Sequence, residues 1–345
     1  MRNRSAVVLG VLLPTLSVLG ACVSNAALVR DVASPPCAAV DDTVQWLRIP
    51  SGDERRRSDR WCAAVGPPAI ARGSSTEPIV NRLVVVSWNV HVGGGNIGAL
   101  VDDLRTGRLT GGEPAQSFVL LLQEVYRSGK DVPSSLPPRA RFALGVKPRG
   151  HDRVDITATA RRFGLSLFYA PSMRNGPPAV SDEDRGNAIV STLPLDEFTA
   201  IELPLERQRR IAVAASIHGR GRERDWALRL VSAHFTNAVG HHLWIFSEPA
   251  RVRHALALAT ALDLGTPTFL GGDFNTWFGY QDAAYKVLAQ RFANLRPSDR
   301  RPTLCIMRLD HVFYQLPDGW RATVRRGESR YGSDHYPLIA ELTLP

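Results

Sequence analysis

Polar side chains that can bind a divalent metal or move a proton follow short apolar segments at several points after residue 83. Carboxylate and amide oxygens suit hard cations such as Mg²⁺, Mn²⁺ or Ca²⁺. An imidazole can donate to a phosphoryl oxygen or exchange a proton near neutral pH. Together these groups fit metal-assisted attack of water on a phosphate ester. The candidate residues are Asn89, Glu124, His234, Asp273, Asn275, Asp310, Asp334 and His335.

Two other chemistries find less support. Acyl transfer is disfavoured because no Gly-x-Ser-x-Gly segment occurs, and Ser333 precedes a predicted strand instead of standing at a strand-to-helix turn. A thiolate zinc site is disfavoured because the cysteines form no Cys-x-x-Cys pair and no His/Cys cluster with zinc-ligand spacing.

The elements that must position these residues alternate in type from residue 81 onward. Short apolar runs indicate buried strands, and apolar residues at three- and four-residue spacing indicate covering helices. In an α/β sheet the ligands bind where strands end, so the polar strand ends should meet. We predict strands over 83–87, 118–122, 226–232, 268–270, 307–309 and 338–344, and helices over 97–104, 156–163, 249–262 and 282–289.

Two further expectations concern the surface. Residues 211–217 and 226–232 are β-rich runs separated by glycines and charges, which predicts a hairpin with a basic tip at 220–224. Arg253, His254 and Lys286 are expected on the solvated faces of their helices.

The ordered set of motifs resembles the endonuclease/exonuclease/phosphatase superfamily, whose type member is pancreatic deoxyribonuclease I. Each motif is weak alone, but the set is specific and covers roughly residues 81–345. The resemblance implies an α/β (α+β) fold, a deoxyribonuclease I-like four-layer αββα sandwich of two packed mixed β-sheets. The motifs are Ser87-Trp88-Asn89, Gln123-Glu124, Ser232-Ala233-His234, Gly272-Asp273-Phe274-Asn275, Leu309-Asp310 and Ser333-Asp334-His335-Tyr336-Pro337.

The resemblance implies a catalytic role for five residues. Asp273 would orient and deprotonate the attacking water, and Asn275 would position that water or hold a phosphate oxygen. His234 would contact the scissile phosphate. His335 would stabilise the transition state, with its imidazole oriented by Asp310, although Asp310 could also cap or pair locally.

The resemblance also implies a metal site and a substrate contact. Glu124 matches the main metal-binding carboxylate, Asn89 supports the metal or phosphate, and Asp334 matches a second metal-linked carboxylate. The expected cofactor is Mg²⁺ or Mn²⁺, with Ca²⁺ as a supporting ion. Arg185 and Asn187 lie in a segment that resembles one lining the family's site, although Asn187 could be a turn asparagine.

The superfamily acts on several phosphate esters, so the fold does not choose the substrate. An inositol phosphatase is disfavoured because Thr276-Trp277 follows Asn275, with no arginine there. Nucleic acid is favoured by the basic balance. A sphingomyelinase- or phospholipase C-like phosphodiesterase is the alternative, supported by a possible lipid anchor and the apolar run 243–246. A catalytically silent surface binding module is a third hypothesis.

Composition supports a large folded domain with an anionic partner. Of the 345 residues, 44% are hydrophobic, and the formal net charge is +9. The only lysines are Lys130, Lys147 and Lys286, so arginine carries the positive charge. Arginine suits bidentate contact with phosphate, although a genome that encodes Arg in place of Lys would give the same balance.

The N-terminal region indicates export. Residues 1–21 are predicted to be a lipoprotein-type signal peptide cut before Cys22, which would carry a lipid; an ordinary secretory signal is the alternative. Residues 22–80 are predicted to be a tether and small extension, and 81–345 the catalytic domain. A Cys37–Cys62 disulfide is favoured in an oxidising compartment and would contribute about 3–4 kcal/mol. Cys305 is expected to be a buried free thiol. We expect a monomer in the bacterial cell envelope, lipid-anchored or secreted.

Overall fold

The structure is a computed structural model. It describes residues 27–31, 35–38, 43–50, 52–74, 80–136, 153–221, 225–237, 247–263, 265–292 and 299–344. The predicted signal peptide, Cys22, part of the basic tip (222–224) and the apolar run 243–246 lie outside these residues.

The first β-sheet contains seven strands within the described residues and is mixed. β10 runs parallel to β11, and β2 runs parallel to β8, whereas the other pairs are antiparallel. In spatial order the strands are β1 (Val29–Arg30), β2 (Gln45–Arg48), β8 (Asp196–Glu202), β9 (Ile211–Arg220), β10 (Asp225–His234), β11 (Thr268–Asp273) and β12 (Asp310–Gln315).

The second β-sheet, also of seven described strands, is mixed as well. β4 runs parallel to β5, and every other neighbouring pair is antiparallel. In spatial order the strands are β13 (Arg321–Arg326), β14 (Leu338–Thr343), β4 (Arg82–Asn89), β5 (Phe118–Ser128), β7 (Glu183–Ser191), β6 (Ser166–Arg174) and β3 (Ala69–Ala71).

The side-chain alternation of β4 shows how the layers form. Leu83 and Val85 lie in the core between the two sheets, whereas Val84 and Val86 pack outward beneath helices. α2 (Ile97–Arg105) and α3 (Ile156–Phe163) cover the outer face of the second sheet. α4 (Glu248–Ala261) and α5 (Ala283–Phe292) cover the first sheet in the same way. The four-layer αββα sandwich and the mixed sheets are therefore confirmed.

The N-terminal extension contributes strands to both sheets. β1 and β2 continue the first sheet beyond β8, and β3 pairs with β6 at the edge of the second. α1 (Asp53–Cys62) lies between these strands along the chain and ends at Cys62, which forms a disulfide with Cys37. The irregular sequence of this region did not indicate these strands, because each is only two to four residues long.

Two predicted strands differ from the structure where they approach the polar residues. The strand predicted over 118–122 continues to Ser128 through a β-bulge between Leu122 and Val125. The strand predicted over 307–309 is wrong, because Met307 pairs only with Leu304 across a tight turn and β12 begins at Asp310. The predicted hairpin is confirmed as the antiparallel pair of β9 and β10.

Two burial expectations are also wrong. Cys305 is exposed, because it lies at the tip of the turn that joins Leu304 and Met307. His254 is fully buried, because its Nε2 hydrogen-bonds the carbonyl oxygen of Pro204 at 2.8 Å. Within the described part of the chain, no helix is long and apolar enough to cross a membrane.

Candidate active site

Strand register brings three predicted residues side by side in the first sheet. His234 at the end of β10 is the register partner of Asp273 at the end of β11. Asp273 is in turn the register partner of Asp310, the first residue of β12. All three side chains are buried. These three candidate catalytic residues thus lie on adjacent strands, which hold side chains more rigidly than loops do.

Asp273 connects this group to the second sheet. Its Oδ2 accepts a hydrogen bond from Asn89 Nδ2 at 2.9 Å, and Asn89 is the last residue of β4. Its Oδ1 accepts from the backbone N–H of Asn275 at 3.0 Å. Asn275 has a left-handed backbone, with φ 50°, and its Nδ2 donates to the carbonyl oxygen of Phe235 at 3.1 Å. The carboxylate is therefore held in place from both sheets.

His335 and Asp310 form a hydrogen-bonded pair. His335 Nδ1 lies 2.8 Å from Asp310 Oδ2, and His335 Nε2 lies 3.8 Å from Asp273 Oδ2. Asp310 Oδ1 is buried without a hydrogen-bond partner in the described residues. The predicted orientation of the His335 imidazole by Asp310 agrees with this geometry.

His234 lies between two carboxylates. Its Nε2 is 3.5 Å from Asp273 Oδ2, and its Nδ1 is 3.9 Å from Glu124 Oε1. A closer neighbour of Nδ1 is the guanidinium of Arg210, at 3.2 Å. Sequence analysis missed Arg210, because it precedes a strand and matches none of the quoted motifs.

Glu124 reaches the site from a distorted part of β5. It lies at the β-bulge and has a left-handed backbone, with φ 56°. Its Oε2 accepts a hydrogen bond from the N–H of Val92 at 3.2 Å, and Val92 also has a positive φ of 52°. Such a conformation in a β-branched residue is costly and is found where the surrounding structure requires it. The bulge re-aims the carboxylate toward His234.

Asp334 lies at the more open side of the site. Its side chain is 45% exposed, and its Oδ1 lies 3.9 Å from His335 Nε2. The same oxygen lies 3.6 Å from Nδ1 of His91, a second histidine that the motifs did not identify as part of the site. Asp334 and His91 therefore form the solvent-facing edge of the cluster.

Arg185 and Asn187, both on β7, make no hydrogen bond within the described residues to the carboxylates of Glu124, Asp273, Asp310 or Asp334. Asn187 Nδ2 donates to the carbonyl oxygen of Ile211 at 2.7 Å, and Arg185 donates to the sulfur of Met173. The positive charge of Arg185 is close enough to help lower the pKa of His234. Their contact with substrate stays a prediction.

The pKa values of the buried groups are shifted in different directions, so the groups differ in charge at neutral pH. Burial, and next the negative charge of Asp310, raise the pKa of Asp273 to about 7. Burial alone would lower the pKa of His335, but the charges of Asp310 and Asp273 outweigh it and raise this pKa to about 10. Burial, and next the charge of Arg210, lower the pKa of His234 well below its usual value. At neutral pH His335 is therefore cationic and His234 neutral.

The donor set fits a hard divalent cation. The nearest ligand-type atoms, from Asp273, Asp310 and His335, lie within 4.8 Å of one another. His335 Nδ1 and Asp310 Oδ2 hydrogen-bond each other, which suits an acid–base pair, whereas Asp310 Oδ1, unpartnered within the described residues, is a further oxygen donor for a cation. Glu124 offers carboxylate oxygens with a single N–H donor within 3.5 Å among the described residues, and oxygen ligands are what Mg²⁺ prefers. Asn89 orients Asp273 here, and its metal-binding role stays a prediction.

The sequence matches the Endonuclease/Exonuclease/phosphatase family over residues 86–335. This span is more than half of the chain and contains the whole residue cluster described above. The chain therefore belongs to the endonuclease/exonuclease/phosphatase family, whose members hydrolyse phosphate esters. The predicted family membership is confirmed. No curated protein shows significant similarity to the sequence.

The chain is similar to several solved structures, and the first one named here supports the fold. An endonuclease/exonuclease/phosphatase from Beutenbergia cavernae DSM 12333 has a TM-score of 0.53 and 16% identity, covering 77% of this chain and 72% of that one. The catalytic domain of human Nocturnin has a TM-score of 0.49 and 15% identity, covering 81% and 98%. Sphingomyelinase C from Streptomyces griseocarneus has a TM-score of 0.40 and 16% identity, covering 76% and 99%.

Proposed function

We propose that the protein is a divalent-metal-dependent phosphodiesterase that cleaves nucleic acid by attack of water on phosphorus. The observation that carries the proposal is the placement of Asp273 Oδ2, within 3.5 Å of His234 Nε2 and 3.8 Å of His335 Nε2. A carboxylate between two imidazoles can take a proton from water while the imidazoles stabilise charge on the phosphoryl oxygens.

In the proposed mechanism each residue has one task. Asp273, with its pKa raised to about 7, accepts the proton of the attacking water. His335, held as an imidazolium by Asp310, stabilises the negative charge that develops on the phosphoryl group. His234 donates to a non-bridging oxygen while the bond from phosphorus to the departing nucleotide oxygen breaks, and that oxygen takes a proton from solvent. When bound near Glu124, Mg²⁺ or Mn²⁺ would supply Lewis-acid polarisation of the phosphate.

Arginines beside the site support a polyanionic substrate. Tyr336 directly follows His335, and the guanidinium groups of Arg326 and Arg330 stack on its ring at 3.9 and 4.5 Å. Nucleic-acid binding depends mainly on contacts between basic side chains and phosphate, and these two arginines can supply such contacts beside the site. The net charge of +9 agrees with this preference.

The first test is nicking of supercoiled plasmid by the full-length chain with Mg²⁺, compared with Asp273→Asn and with the exposed control Asp318→Asn. We expect nicking by the parent and the control, and none by Asp273→Asn or with EDTA. Equal activity in Asp273→Asn and the parent would contradict the mechanism. Plasmid binding without turnover by the folded parent would instead favour the silent binding module.

A phospholipid headgroup is the second candidate substrate. Phe278 and Ile306 are 49% and 89% exposed, and they lie on the loops that follow Asn275 and precede Asp310. Apolar side chains beside a catalytic site can enter a membrane surface. Hydrolysis of sphingomyelin vesicles, with no nicking of plasmid, would favour this candidate.

We also propose that the protein is exported and attached to the cell envelope by a lipid on Cys22, as a monomer. The sequence pattern at residues 1–22 supports this location. An intact-mass spectrum of the membrane-extracted protein tests it, since cleavage before Cys22 with an added lipid gives a defined mass. An uncleaved chain would contradict it, and sedimentation velocity in detergent tests the monomer.

A further inference from the structure

Two consecutive buried arginines lie immediately before β9, and they contact opposite parts of the molecule. Arg209 is fully buried and Arg210 is 4% exposed. Side chains of successive residues in an extended segment point to opposite sides. Arg209 accordingly contacts the N-terminal extension, whereas Arg210 contacts the active site.

Arg209 is held by the disulfide and by Glu202. One of its terminal nitrogens lies 3.5 Å from the sulfur of Cys37 and 3.5 Å from that of Cys62, and its Nε donates to the carboxylate of Glu202. Glu202 also accepts from Ser58 on α1 and from Arg48 on β2. Glu202 is the carboxylate that compensates the buried charge of Arg209, and together with the contact to the two sulfurs it holds the Arg209 side chain in place.

Arg210 determines the chemistry of His234. A guanidinium carries donors and no acceptor, so the Arg210 nitrogen 3.2 Å from His234 Nδ1 must donate to it. His234 Nδ1 is then an acceptor, and the ring proton resides on Nε2. That nitrogen faces Asp273, at 3.5 Å. His234 therefore presents an N–H toward Asp273, beside which the proposed function places the phosphate.

The backbone that follows the two arginines is also fixed. The N–H of Ile211 donates to Ser172 Oγ at 3.1 Å, and its carbonyl oxygen accepts from Asn187 Nδ2 at 2.7 Å. Little freedom is left for Arg210 to move independently of Arg209. A displacement of the extension would therefore move Arg210 and change its contact with His234.

We propose that the disulfide-linked extension positions the active site through Arg209 and Arg210: Arg209 is anchored on the Cys37–Cys62 bridge and Glu202, and Arg210 holds His234 as the tautomer that donates from Nε2. Arg210 is a positioning residue in this account. The proposal rests on the proposed function in one respect, the contact of His234 with the scissile phosphate.

The test reads the His234 ring nitrogens by nitrogen-15 NMR in the metal-free, full-length protein, together with the nicking rate. Arg210→Met should convert the acceptor-type Nδ1 signal to a mixture of tautomers and lower the rate by roughly 10–100-fold, as for other partners that orient a functional histidine. Arg210→Lys keeps a hydrogen-bond donor and should therefore restore part of the acceptor-type Nδ1 signal and part of the nicking rate. Arg251→Met removes another buried arginine, whose carboxylate partner Asp282 is not a residue of the site, and should leave the His234 signals and the rate unchanged.

The extension is tested by the Cys37→Ser/Cys62→Ser double variant and by Arg209→Met, which keeps the disulfide. Each should shift the His234 signals in the same direction as Arg210→Met, by a smaller amount. Unchanged His234 signals in either variant that folds would overturn the role of the extension, and an unchanged Nδ1 signal in Arg210→Met would overturn the role of Arg210. If the parent cleaves no plasmid, the proposed function fails. The NMR signals still show whether Arg209 and Arg210 position His234.

Discussion

At the residue scale, His335 and Asp310 act together. The 2.8 Å contact between His335 Nδ1 and Asp310 Oδ2 orients the imidazole ring and stabilises its positive charge. We expect His335→Gln and Asp310→Asn each to lower the nicking rate by roughly 10²–10³-fold. Residues that act as a unit are not additive, so the double variant should be no slower than the slower single variant. Steady-state rates of the three variants measure this, and full multiplicativity would contradict a shared role.

The charges of the same residues predict the pH dependence of the reaction. Asp273 must be deprotonated to act as a base, so kcat/KM should rise as the pH increases through about 7. His335 must remain protonated, so kcat/KM should fall as the pH increases through about 10. A pH–rate profile with saturating Mg²⁺ measures both limbs. In His335→Gln the alkaline limb should disappear, and its persistence would assign that limb to another group.

The residues that could be predicted from sequence are those that belong to short motifs. Asp273, Asn89, His234 and His335 meet in space because each motif marks the end of a strand or the loop before one. Arg210 could not be found in this way, since its role depends on a contact with His234 that only the tertiary structure creates. Cys305 was misplaced for a related reason: its apolar neighbours indicated burial, but a tight turn exposes it.

At the scale of elements, the extension is attached to the first sheet by a buried ionic network. Glu202 on β8 forms ion pairs with two arginines, Arg209 before β9 and Arg48 on β2. Burial alone would raise the pKa of Glu202, but the charges of Arg209 and Arg48 outweigh it and lower the pKa to about 2. The network thus joins β2 to β8 in addition to the backbone pairing between them.

This network predicts a loss of stability in acid. Because the folded-state pKa of Glu202 is below its unfolded value, its contribution is present above about pH 4.5 and is lost as the pH falls toward 2. The contribution is about 3 kcal/mol, from the shift of the pKa. Urea unfolding of the parent and Glu202→Gln between pH 5 and 2.5 should show a steeper decline in the parent. Parallel curves would contradict the prediction.

Most elements could be predicted from apolar periodicity, and the errors have physical causes. α3 agrees with the predicted helix because Asp155 caps it and Gly164 ends it in a left-handed conformation. β5 was predicted too short, because polar residues interrupt its apolar pattern at the bulge that carries Glu124. The strands of the extension could not be recognised, since each is short and β2 pairs with a strand more than a hundred residues away.

At the scale of the whole molecule, the excess of arginine predicts salt-dependent binding of nucleic acid. Each phosphate neutralised by the protein releases counterions, so log Kd should rise linearly with log salt concentration. Titration of a labelled duplex with the Asp273→Asn variant at several salt concentrations measures the slope. Arg330→Gln should make the slope smaller by about one unit, whereas Arg56→Gln, on α1, should leave it unchanged. A slope near zero in the parent would contradict a nucleic-acid substrate.

The position of β14 in the second sheet has a consequence for the nascent chain. β14 is the last strand in sequence, yet it lies between β13 and β4, and it pairs directly with the strand that carries Asn89. His335 and Asp334 precede it by only a few residues. Asn89 on β4 and the residues just before β14 therefore come together only when β14 has been synthesised and has paired with β4. A chain interrupted before β14 would lack the strand that brings Asp334 and His335 to Asn89.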